Sequence, residues 1–134
     1  MIQEAYVSFE TAKLLKDKGF DESCRYYYVN NGNLMFTEEY FHNSEIKYGT
    51  YTGCICTAPT LQMAMKWLRE VHKLHIIAEP FLGEGNEPNL SFNRWFWTIL
   101  KEEGEYKPIR KIDEFPTYEA ACENAIKISL ENLI

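Results

Sequence analysis

The chain has no apolar run approaching the roughly 18 residues that would span a bilayer, so neither a membrane-spanning helix nor a membrane partner is expected. It also lacks an excess of positive charge. Fourteen Lys and Arg stand against 20 Asp and Glu, for a net charge of −6, which disfavours a protein that grips nucleic acid by neutralising phosphates across a basic face. The four cysteines, at 24, 54, 56 and 122, are too sparse for a disulfide framework, and a chain of 134 residues does not need one, so reduced and mostly buried thiols are expected. Glycine is also scarce where a phosphate cradle would need it. Gly83-Glu84-Gly85 is acidic and is followed by a strand, whereas phosphate binding needs free backbone amides ahead of a helix. The opening residues Met1-Ile2-Gln3-Glu4-Ala5 lack the basic and apolar stretches of a secretory leader, which makes a cytoplasmic location the expectation.

What is present is an ordinary globular composition, 46% hydrophobic and 25% charged. Residues 1–134 fit one domain able to bury about two thirds of its unfolded surface. Lys13, Lys16 and Lys18, and again Lys107, Arg110 and Lys111, are interleaved with acids such as Asp17 and Glu114, and read as mixed-sign solvated surface.

Local signals give an element order. Ser8 as N-cap and Gly19-Phe20 as a Schellman-type stop bound a helix over residues 9–18, with Ala12, Leu15 and Leu14 inward. Cys24-Arg25-Tyr26-Tyr27-Tyr28-Val29 is β-prone, and Asn30-Asn31-Gly32-Asn33 turns it into a hairpin with Leu34-Met35-Phe36. Residues 38–53 lack a pattern and read as a loop leading to a short strand over 51–56. A second helix follows, capped by Thr57 or Thr60, with Pro59 in its first turn and Leu61, Ala64, Met65, Leu68 and Val71 inward. A strand over 75–81 leads through a polar loop at 83–89 to the strongest strand signal, residues 94–100, then to a shorter strand over 106–112 in which Pro108 indicates an edge. Thr117 caps a last helix over 118–133, whose inner face is Ala121, Cys122, Ala125, Ile128 or Ser129, and Leu133. Helix, hairpin, helix, two or three strands and helix is not the alternation of a doubly wound sheet. The fold expected is α+β: a two-layer sandwich with a mostly antiparallel sheet of four to five strands and about three helices on one face, leaving the other face open.

No site chemistry follows from spacing. Cys54 and Cys56 with His72 and His75 match zinc's preferred ligand types, but a helix of about a dozen residues, roughly 18 Å long, separates the two pairs. Cys56 lies near a helix N-terminus, where a thiolate is favoured, yet nothing in the spacing brings His42 or His72 to it. Glu38-Glu39, Glu102-Glu103 and Asp113-Glu114 fall at turns or strand ends, where neighbouring carboxyls point apart into water. No metal, cofactor or catalytic residue is expected.

The one excess is aromatic, 15% of the chain. In the strand at 94–100, Trp95 and Trp97 share one side with Ile99, while Phe96, Thr98 and Leu100 share the other. With the Phe96 side in the core, Trp95 and Trp97 join Tyr26 and Tyr28 on the open sheet face as a binding surface for a base, a sugar or a partner side chain. With the Trp95 side in the core, that surface vanishes.

Residues 8–20, 56–70 and 115–121 with 130–134, including Ser8-Phe9-Glu10-Thr11-Ala12, Ala58-Pro59-Thr60-Leu61-Gln62 and Phe115-Pro116-Thr117-Tyr118-Glu119, resemble a group of small uncharacterised proteins of phages and mobile elements of gut bacteria. The resemblance implies a compact intracellular accessory protein, with no activity, cofactor or functional residue to carry across. The function expected is a non-enzymatic binding or protein-interaction module. A protein partner or self-association through the open face or an edge strand would serve it. The alternatives are an accessory protein contacting nucleic acid through the aromatic face, against its net charge, and a cysteine-dependent enzyme.

Overall fold

A computed structural model describes residues 1–46, 53–82, 90–103 and 105–134. The class is as expected: three helices and antiparallel strands in an α+β sandwich. The strands, however, form two three-stranded sheets among the described residues in place of one larger sheet. The first has the order β2-β1-β3, from β1 (Cys24–Val29), β2 (Leu34–Phe41) and β3 (Cys54–Thr57). The second has the order β4-β5-β6, from β4 (Leu74–Leu82), β5 (Leu90–Glu103) and β6 (Glu105–Phe115). All pairings are antiparallel. The amino-terminal segment lengthens the first sheet: Tyr6 bridges Thr60, Val7 N–H donates to the Pro59 carbonyl (3.0 Å) and Leu61 N–H to that of Ala5 (2.9 Å).

Helix α1 (Phe9–Asp17) starts where Ser8 Oγ accepts from Thr11 N–H, and stops where Phe20 N–H donates to Leu15 and Gly19 N–H to Lys16, with Gly19 at φ +94°. That is a Schellman motif, and it turns Phe20 into the core. Helix α2 (Leu61–His72) is capped by Thr60, so Pro59 precedes the helix and does not occupy its first turn. It ends on Lys73 in the left-handed region (φ +59°), a stop that no glycine marks. Helix α3 (Tyr118–Ile128), capped by Thr117, widens into a π-turn over Ser129–Leu133, where the buried Ser129 hydroxyl donates back to the Ala125 carbonyl (2.8 Å). Ser129, one of the two inward residues expected at that position, is buried, as are Ile126 and Leu130, while Ile128 and Leu133 are half-buried.

The strands outrun their sequence signals. β2 continues to Phe41 through residues read as loop, because Phe41 pairs with Cys24. A 3-10 turn at Asn43–Glu45 follows. The hairpin is as expected: Gly32 N–H donates to the Val29 carbonyl, and Gly32, at φ +85°, has the Phe9 ring 3.1 Å from where a Cβ would stand. β6 is an edge strand, as Pro108 indicates. The polar loop at 83–89 and the remainder of the loop, 47–52, lie outside the described residues.

One core joins the sheets to the helices. α3 lies on β4 and β5 and touches α1 and α2, while α1 lies on β3. Leu15, Phe20, Leu68, Leu74, Ile99, Ile126 and Leu130 are all buried in it. Two inner-face assignments on α2 change. Val71 is 55% exposed, whereas Trp67 is buried edge-on against Phe20.

Candidate functional site

The expected four-ring face does not form. On β5 the Trp95 side is the inner one: Trp97 is 2% exposed and donates its indole N–H to Asn124 Oδ1 on α3 (2.9 Å), and Ile99 is buried beside it. Trp95 is half-buried, edge-on to Tyr118 at the start of α3. Tyr28 is 8% exposed and its hydroxyl donates to the Val7 carbonyl. The physical reason is coverage by helix α3, which seats itself on the tryptophan side of β5, and the placement of β1 and β5 in different sheets. Of the four, Tyr26 lines a cleft.

That cleft, about 220 Å³, lies beside β1, the Tyr6 segment and the first turn of α2. Its walls include Tyr6, Arg25, Tyr26, Tyr40, Pro59 and Met63. An irregularity in the β1–β2 ladder builds it. Cys24 pairs with Phe41 and Tyr26 with Phe36, so an advance of two residues on β1 is matched by five on β2. The arched strand brings the Phe36 and Tyr40 rings to 5.0 and 5.1 Å from the Arg25 guanidinium carbon, within cation–π range. The Tyr6 and Tyr26 rings lie 4.3 Å apart, and Tyr26 meets Phe36 at 5.1 Å. Burial, and then its hydrogen bond to Tyr26, push the Tyr6 hydroxyl up to about 12, so it is a neutral group near pH 7. Arg25, Tyr6, Tyr40 and Met63 were not singled out by sequence. The available signal was a cation inside the aromatic run of β1.

Thiol chemistry is opposed by burial. Desolvation raises Cys24 to about 11 and Cys56 to about 12, and also raises Cys54 and Cys122. A nucleophilic cysteine needs the opposite shift. All four thiols are free. His72 stands edge-on to Trp67, and His75 lies 3.5 Å from the Glu102 carboxylate. Among the described residues, no three His, Cys, Asp or Glu side chains gather as metal ligands would.

A hydroxyl–imidazole pair is present at the surface. Ser23 Oγ lies 3.1 Å from His42 Nε2, and His42 Nδ1 lies 2.5 Å from the Asp21 carbonyl oxygen. Asp21 Oδ1 accepts from Ser44 N–H, and Glu45 from His42 N–H. The Asp21 carbonyl raises the His42 pKa above its ordinary 6.5, with Glu45, Asp21 and Glu22 adding to the effect. A shift that favours the protonated imidazole weakens it as a general base, and these bonds clasp the α1–β1 loop to the turn after β2.

No protein-family model, curated protein or solved structure matches the chain.

Proposed function

We propose that the protein is a non-catalytic binding module, of the accessory kind implied by its resemblance to small phage and mobile-element proteins, that takes its ligand in the cleft beside β1. One observation carries this reading: two tyrosines in ring contact, a methionine and an arginine converge on one concavity. Aromatic and thioether walls with a few polar groups are what small-ligand sites are made of. The raised thiols weigh against the cysteine-enzyme alternative. The test is a titration of the protein with neutral single-ring compounds such as benzamide, following the Met63 methyl and the Tyr6 and Tyr26 ring signals by NMR. Saturable shifts confined to these residues are expected. Their absence up to about 10 mM, weaker than any useful recognition, overturns the reading.

Self-association is a second reading, favoured by β2. This edge strand exposes Leu34, Met35 and Phe36 in succession, with Met35 at 44%, and carries none of the lysines or prolines that commonly blunt such edges. In this reading a second copy adds its own β2 alongside. Light scattering should then give a doubled mass that Met35→Lys returns to the monomer. A monomeric wild type ends it.

A further inference from the structure

We infer that the ligand of the cleft is a single-ring organic anion, its carboxylate or phosphate group held by Arg25; this rests on the reading of the cleft as a binding site. Arg25 is the one described arginine on the cleft wall, and among the described residues it makes no hydrogen bond and no ion pair. Its Nε is buried with no acceptor. An unpaired buried donor is unfavourable, and it is satisfied when an acceptor arrives.

A shortage of acids does not explain this. The chain has six more acids than bases (20 against 14), and three other described cations stand against carboxylates: Arg94 with Glu114, Lys101 with Glu103 at 2.8 Å and Lys127 with Glu10 at 3.0 Å. Among the described residues, no Asp or Glu lines the cleft. By contrast, the hollow between the amino-terminal residues and α3 is lined by Glu4 and Glu119, and the one beside the end of α1 holds Asp21 with a lysine, Lys16, whose ammonium already donates to the Ile55 carbonyl at 2.7 Å. Of these three hollows, the cleft of Arg25 is the one that sets an unpaired cation among described walls without a carboxylate.

The geometry also limits how the guanidinium is approached. Phe36 and Tyr40 both lie against it, which holds the plane in place and directs recognition to its N–H edge, the edge that matches a carboxylate or phosphate in a two-pronged bond. The hydroxyls of Ser23 and Thr60 line the same cleft as further donors. Size sets the rest of the ligand. A cavity of about 150 Å³ holds one benzene ring, so 220 Å³ suits one ring with a small acidic head, stacked on Tyr6 and Tyr26.

Such an anion is either a free aromatic acid or the carboxyl-terminal aromatic residue of a peptide, and the test separates the two. The full chain is titrated by NMR with benzoate, phenyl phosphate, neutral benzamide, acetyl-Gly-Phe with a free carboxylate, and the amide of that peptide. Benzoate or phenyl phosphate should bind roughly ten- to a hundredfold more tightly than benzamide, the range for hydrogen bonds to a charged group. Arg25→Met should abolish that preference, with an unmoved Trp97 indole N–H signal, remote from the cleft, showing that the variant is folded. Arg25→Lys should lose most of the preference, since an ammonium lacks the planar fork. A free peptide that binds more tightly than both its amide and benzoate identifies a chain end as the source, and the reverse identifies a free acid; either supports the inference. Equal binding of benzamide and benzoate, or a preference that survives Arg25→Met, overturns it and leaves the cleft reading standing. If no ring binds, both fall.

Discussion

The central strands of the two sheets, β1 and β5, are both rich in aromatic residues, and the fold uses them in opposite ways. On β5, Trp97 is enclosed under α3 with its one polar atom bonded to Asn124. On β1, Tyr28 is also enclosed, with its hydroxyl bonded to Val7, but two and three residues earlier Tyr26 and Arg25 face a cleft, the arginine without a hydrogen-bonding partner among the described residues. The difference teaches that aromatic density does not mark a binding surface. A ring stays accessible where the covering layer stops, and on the first sheet it stops where the arched β2 and the Tyr6 segment leave a gap.

The comparison is broken most directly by Trp97→Ala, which removes a fully buried ring and orphans Asn124; a loss of about 3–5 kcal/mol in urea unfolding is expected. A loss below about 1 kcal/mol would mean that β5 does not bury that face. Next in size is Asn43→Ala. The buried Asn43 amide donates to the Phe20 carbonyl (2.8 Å) and accepts from Thr57 N–H (2.9 Å), tying the end of α1 to β3. Removing it should lower stability by about 1–3 kcal/mol through two unpaired backbone groups. Thr60→Ala deletes the α2 cap at the cleft and should lower the unfolding free energy by about 1 kcal/mol, where Thr57→Val, away from any cap, should not loosen α2. Arg25→Met sharpens the contrast. Losing two ring contacts and losing an unpaired donor offset each other, so stability should stay within about 1 kcal/mol of the wild type while anion binding disappears.

The smallest effect is a pH dependence of the His42 clasp. The folded pKa of His42 lies above 6.5, so its contribution is fully present below 6.5 and is lost as pH rises through the folded value. Asp21 lies below its ordinary 3.8, held there by the Ser44 backbone and side chain, so its contribution is present above 3.8 and is lost as pH falls. The clasp should be strongest between those two values. The gap in urea midpoint between wild type and His42→Gln should accordingly narrow from pH 5.5 to pH 8.5; a constant gap would remove protonation from the account.

Much of the scaffold was legible because its signals are local. Ser8, Thr60 and Thr117 accept from amides three residues on, and Gly19 and Gly32 take conformations that other residues rarely adopt. Where a signal is shared among neighbours, reading falters. Thr57 rivalled Thr60 as a cap, but its amide is bonded to Asn43 within β3. Val71 fits the apolar stripe of α2 yet lies at its end, past the edge of the covering layer, and Trp67 takes the inner place by reaching Phe20. The far half of β2 reads as loop because Thr37-Glu38-Glu39-Tyr40 carries no alternation. Pairing with β1 makes it a strand, and an alternation signal is absent because neither side of that stretch is buried.

By itself the sequence determined the starts of α1 and α3, the first hairpin, the edge position of β6 and the α+β class, since each depends on backbone hydrogen bonding or steric limits within a few residues. It also determined that Trp95 and Trp97 share a side, because strand geometry alternates whatever surrounds it. Which side is inward, how the strands divide into two sheets, and that Arg25 stands among Phe36, Tyr40 and Tyr26 were decided only by the tertiary structure. These are outcomes of competition between distant surfaces for burial. Alternation leaves two equivalent faces, and the choice between them was made when α3 covered one.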